Sequence, residues 1–173
     1  MKSIEVMSIE KEISSWDGKS SSDIEAIYNR YRDDEALTSK LLELSQNTDL
    51  QKGASWLLKR YLEDNRRLEK NEIAKIFKLL PLLEHWEAKL HILQCIPYMP
   101  IGRTEKKRVE TFLRRCLIDK NKFVRAWAYN GFYEISLQHP EYKEETKQFF
   151  EMAMRDEAPS VKARIRNIAK NDF

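Results

Sequence analysis

The sequence predicts an all-α chain: an α-solenoid, a right-handed superhelix of about four helical hairpins behind an N-terminal helical cap. Three observations predict it. Glycine (4) and proline (5) are scarce among the 173 residues while Leu, Lys, Glu, Arg and Ala abound, a balance that favours helices over β-sandwiches and disorder. With Val124 as position 1, apolar or small residues fall at positions 1, 5, 8, 9 and 12 (Val124, Ala128, Gly131, Phe132, Ile135), which paints one helix face. Copies of that template begin at Leu50, Trp86, Val124 and Val161, spaced 36, 38 and 37 residues. A repeat of this length, with two helices per unit, buries its apolar faces by stacking hairpin on hairpin.

Residues 1–33 lie outside the repeat and read as the cap: a helix near 2–14, a loop over 16–23 whose Ser22 or Asp23 can cap the next helix, and that short helix over 24–32. Residues 34–173 form one continuous domain of repeats at about 34–66, 70–100, 104–139 and 141–171. Each opens with a first helix, over 36–45, 71–83, 105–118 and 142–155, and closes with a template helix. The copy at Trp86 fits worst, with Gln94 and Pro97 at positions meant to be apolar. Gly53 and Gly131 fall inside helices, where each costs ~1 kcal/mol relative to Ala; a close helix crossing would offset that. Pro97, Pro100 and Gly102 mark where the stack would bend.

The net charge of +3 conceals an asymmetry: residues 1–50 carry 6 Lys/Arg against 11 Asp/Glu, and residues 51–173 carry 25 against 17. Acids are interspersed through the basic part, unlike the clustered footprint of a phosphate binder. The densest exception, 103–125, has 9 basic and 3 acidic residues, and its Lys107, Arg108, Arg114 and Arg115 read as the solvated side of a first helix. No apolar run has the length of a membrane span and the first residues mix Glu and Lys, so the expected location is the cytoplasm. Cys95 and Cys116, each in an apolar helical context, read as buried thiols.

Asp119 five residues before Val124-Arg125, and Asp156 five residues before Val161-Lys162, make the chain resemble HEAT-like repeat proteins over about 34–171. The resemblance implies an inter-repeat ladder of Asp119, Arg125, Asp156 and Lys162. The earlier copies depart from it, with Gln51 and Glu87 at the basic position and Ser45 and Pro81 at the acidic one. A second branch of HEAT-like proteins, the alkylated-base DNA glycosylases, uses concave Trp, Asp and Arg residues, with an Asp four residues after a Trp. Here Arg60, Leu90 and Gly131 follow Trp56, Trp86 and Trp127 at that spacing, so the carboxylate is missing.

Positions 3, 7, 10 and 14 lie opposite the core face and would line the concave surface. They mix aromatic, aliphatic, amide and lysine groups, the composition of an interface rather than of a solvated face. The sequence thus predicts a non-enzymatic scaffold binding a protein or peptide through Trp56, Lys59, Ile92, Asn130, Tyr133, Asn167 and Lys170, with Trp86 in the core; nucleic acid is the alternative partner. No catalytic motif is present. His91 and Cys95 share a helix face, but too few further ligands exist for zinc. No metal or cofactor is expected.

Overall fold

The computed structural model describes residues 7–171. Among them the chain forms ten α-helices and no strand: α1 Ile9–Ser15, α2 Ser21–Tyr31, α3 Leu37–Leu44, α4 Thr48–Glu63, α5 Lys70–Leu79, α6 Trp86–Cys95, α7 Lys106–Leu117, α8 Lys122–Gln138, α9 Lys143–Asp156 and α10 Pro159–Ala169. Part of the helix predicted near 2–14 falls on residues 1–6, outside the described residues, or on Met7 and Ser8, which precede α1. Ser8 caps α1 by accepting from the Lys11 N–H. The second cap helix starts earlier than predicted because Ser20, not Ser22 or Asp23, is its N-cap, accepting from the Asp23 N–H at 3.2 Å. Asn47 and Asn121 cap α4 and α8, and Glu69 with Glu72 forms a capping box on α5.

Every second helix from α4 onward lines up in series: α4 packs on α6, α6 on α8 and α8 on α10. On one side α3 contacts α5 and α5 contacts α7, while α1 and α2 also pack against α4. Gly53 and Gly131 mark the closest approaches. A Cβ at Gly53 would meet the Ile13 side chain of α1 at 2.6 Å, and one at Gly131 would meet Leu113 of α7 at 2.3 Å. Both interior glycines therefore allow close crossings, as their place inside helices predicts.

The second member of the series, α6, corrects the predicted register. Trp86, expected in the core, is 40% exposed, whereas Ala88, Ile92, Cys95, Ile96 and Met99 are all at most 2% exposed. Those five residues are the 1, 5, 8, 9, 12 template begun at Ala88, two residues later than Trp86. The apolar series runs past the end of α6 into the 3-10 turn Ile96–Tyr98, which is why Pro97 does not break it.

The buried residues form two clusters. One runs from Ile9 in α1 to Ile135 in α8; the other holds Ala126 and Tyr129 of α8, Phe150 and Ala153 of α9, and Val161, Ile165 and Ile168 of α10. The loop after Pro97 is fastened to α8: the Ile101 N–H donates to Gln138 Oε1 at 2.6 Å, and the Ile101 carbonyl lies 2.7 Å from His139 Nε2.

Candidate functional site

The face expected to bind a partner begins on α4. Lys59 lies with its ammonium 5.5 Å from the Trp56 ring centroid and 3.4 Å from Glu63. One turn away Lys52 pairs with Glu87 of α6 at 2.5 Å. Tyr133 is half-buried against the smaller cluster and Leu137 is 57% exposed. Asn167 and Lys170 are exposed on α10.

Two predicted groove residues are not available. Ile92 is 1% exposed because the two-residue register shift places it at core position 5; Leu90 and Gln94 take the groove positions on α6. Asn130 is 7% exposed because it lies on the flank of α8 against which α10 packs, one turn from Trp127.

The ladder of ion pairs differs in its partners from the one the resemblance implies. Asp119 accepts from Lys89 at 2.9 Å, and Lys89 occupies the basic position once Ala88 is position 1. Arg125 donates to both carboxylate oxygens of Glu157, at 2.9 and 3.1 Å, and not to Asp156, which is exposed. Its guanidinium also reaches the Asp119 and Lys120 carbonyls. Lys162 donates to the Arg155 carbonyl. In the first copy buried Gln51 supplies an uncharged rung, donating to the Ser45 and Leu82 carbonyls and accepting from the Glu84 N–H. Burial opposes ionisation of Asp119, yet the Asn121 N–H and Lys89 hold its carboxyl below the usual range.

His91 lies in the contact between α4 and α6. Ser55 Oγ lies 2.9 Å from His91 Nδ1 in the α4–α6 contact, and burial, with Lys59 and Lys52 nearby, lowers the His91 pKa to about 3. No group of three or more His, Cys, Asp or Glu side chains gathers in a metal-binding arrangement among the described residues. Both thiols are buried and free of any disulfide, and burial pushes Cys116 up to about 12. The basic face of α7 is engaged: Arg114 bridges Glu110 and Glu145, and Arg115 donates to the carbonyls of Leu80, Pro81 and Leu83.

Sequence reasoning missed two charged groups beside the face expected to bind. The Arg164 guanidinium of α10 stacks 4.1 Å from the centre of the Trp127 ring, half-buried, with no carboxylate partner among the described residues. Glu134, seven residues after Trp127 and so on the same face of α8, is also half-buried, makes no ion pair among the described residues, and is raised in pKa by that burial. The signal was present in the repeat. Gly53, His91, Trp127 and Arg164 all occupy position 4, and only Arg164 brings a formal charge there. A second missed feature is an apolar edge at the turns: Leu82, Trp86, Ile118 (84% exposed) and Phe123 project to solvent. Trp86 and Ile118 share one depression with Lys89, Arg115 and Asp119.

No protein-family model, curated protein or solved structure matches this chain. Among the described residues no helix is long and apolar enough to cross a membrane.

Proposed function

We propose that the chain is a short α-solenoid of four HEAT-like hairpins behind a helical cap, acting as a scaffold that holds an extended segment of another protein along the groove face of α4, α6, α8 and α10. The serial contact of these four helices and their shared 36- to 38-residue spacing support the architecture. The observation that carries the binding function is the pair of half-buried charges, Arg164 and Glu134, without ion-pair partners among the described residues. Removing a charge from water without a counter-charge destabilises a fold, so two of them on one surface point to a partner that completes them. Tyr133 and Leu137 supply apolar contact on the same helix as Glu134, Trp56 supplies it further along on α4, and stacked helices hold the groups in place before binding.

The glycosylase alternative has two of its three residue types here, in Trp127 and Arg164. Its carboxylate would belong at Gly131, where even a Cβ would collide with Leu113, so a carboxylate four residues after Trp127 does not fit. The apolar turn edge favours a second contact surface. Affinity purification with quantitative mass spectrometry separates the two. A groove partner is lost from Trp56→Ala/Leu137→Ala and kept by Ile118→Glu. The opposite pattern would move the function to the turn edge.

A further inference from the structure

Arg164 and Trp127 come from adjacent helices, and their contact has a particular shape. With the guanidinium carbon over the ring, 4.1 Å from its centre, the aromatic face screens one side of the cation, and its N–H donors meet no acceptor among the described residues. A planar fork of donors fits a carboxylate or a phosphate bidentately, and Arg supplies it with less conformational loss than Lys. Arg125, by contrast, spends the same fork on Glu157, and Arg60 and Arg114 likewise hold carboxylates of neighbouring helices. Arg164 has no such partner among the described residues. It is therefore the half-buried guanidinium whose anion has yet to arrive.

Glu134 distinguishes between the two anions. It stands seven residues along α8 from Trp127, a rise of about 10 Å. A polyphosphate chain, negative along its whole length, held by Arg164 and laid along α8 would run onto this half-buried carboxylate, which has no ion pair among the described residues. A polypeptide of mixed charge meets no such repulsion. An extended chain advances about 3.3 Å per residue, so about 10 Å is three residues.

We propose that the Trp127–Arg164 stack is a carboxylate anchor for an Asp or Glu in an extended partner segment, and that Glu134 receives a Lys or Arg about three residues along the same segment. This deepens the groove reading and rests on it. The recognised pattern is acidic-x-x-basic, in either chain direction, with apolar residues alongside for Tyr133 and Leu137. Charge complementarity selects it: Arg164 and Glu134 are a half-buried cation and a half-buried anion without ion-pair partners among the described residues, and the partner presents their inverse.

The test uses fluorescein-labelled nine-residue peptide pools with a central Glu-x-x-Lys, the x positions drawn from Ala, Ser, Leu and Tyr, against matched Gln-x-x-Gln pools. Binding to the full chain is read by fluorescence anisotropy at physiological salt. The expected result is about tenfold tighter binding of the Glu-x-x-Lys pool, with that preference reduced in Arg164→Met and in Glu134→Gln. The pool comparison needs no variant, so it stands even if Arg164→Met unfolds; Arg164→Lys, which keeps the charge and loses the fork, should fall between. Equal binding of both pools, abolished by Trp56→Ala/Leu137→Ala, would overturn the anchor and leave the groove reading standing. Binding of neither pool overturns both. Arg164-dependent retention of a DNA duplex at the same salt, exceeding that of the peptides, would overturn the carboxylate assignment in favour of phosphate.

Discussion

The body from α1 to α8 and the hairpin α9–α10 solve the same packing problem with unequal means. The larger cluster draws on eight helices and encloses Tyr28, Phe77 and Phe132 almost completely, whereas the smaller one holds seven residues, of which only α10's Val161 is fully enclosed. The helix starts differ as well. Helices α4, α6 and α8 begin with side-chain caps from Asn47, His85 and Asn121, while α10 begins at Ala158 with none, and the Ser160 hydroxyl beside it is buried without a partner among the described residues. Helix α8 joins the hairpin to the body through the edge-on ring pairs Phe132–Phe149 and Tyr129–Phe150 and the Arg125–Glu157 ion pair, and α7 adds Arg114–Glu145. The proposed anchor, Arg164 on Trp127, thus bridges the firm part of the molecule and its least secured helix.

The largest effect should come from the joint. Phe132→Ala removes a ring enclosed in the body and packed on Phe149, and should cost about 3–5 kcal/mol, seen as a collapse of the melting temperature by circular dichroism. A cost below about 1 kcal/mol, against that range for an enclosed aromatic, would show that the joint carries little. Phe150→Ala should cost about 2–4 kcal/mol, but selectively: hydrogen exchange accelerates in α9 and α10 while α4 to α7 keep their protection. Uniform acceleration would erase the distinction between the two regions.

Acid separates them in the other direction. The folded pKa of His91 is depressed to about 3 by burial, so the unfolded chain takes up a proton below about 6.5 that the folded chain refuses. Stability contributed by neutral His91 is complete above about 6.5 and declines on the order of 1 kcal/mol per pH unit as pH falls toward 3. Glu157 also has a depressed folded pKa: burial opposes ionisation, but Arg125 and the Ala158 N–H prevail. Its contribution is present above the ordinary carboxylate range and is lost only as pH falls through the folded value. Between about pH 6.5 and 4.5, therefore, the body should weaken while the Arg125–Glu157 tie persists. Denaturant titrations of the native chain and His91→Gln should diverge over that window in how steeply stability falls with pH; parallel curves would remove His91 as the cause. The smallest change concerns the missing cap: Ala158→Ser should gain about 0.5–1 kcal/mol and slow exchange in α10 alone.

Helices, their spacing and both glycine crossings were legible in the sequence because each rests on local pattern. The register at α6 was not. Trp86 is large and apolar and drew the template to itself, whereas small Ala88 and Cys95, with Met99 beyond the helix end, are what the neighbours enclose. Asn130 was assigned to the open face from its angle on α8, and angle alone does not report that α10 packs over that flank. The ladder was half legible: its basic residues follow position 2, while its acids depend on turn geometry, so Glu157 replaces Asp156. Arg164 and Glu134 stayed hidden because a charged residue on a helix looks solvated until the neighbours that dry it are placed.

The spacing of the tying contacts has a kinetic consequence. Tyr28 with Asp64, Ser55 with His91, Lys89 with Asp119, Arg125 with Glu157 and Ile101 with His139 join residues 30 to 38 apart along the chain. Closing loops of such similar length carries nearly the same entropic barrier each time, since that barrier grows only with the logarithm of length. No contact of this set waits for a distant part of the chain, so contact order is low and collapse should be rapid. Any neighbouring helices can nucleate, and order then spreads in both directions along the chain. When the molecule is pulled by its ends, the rupture should begin at α10, one short loop at a time.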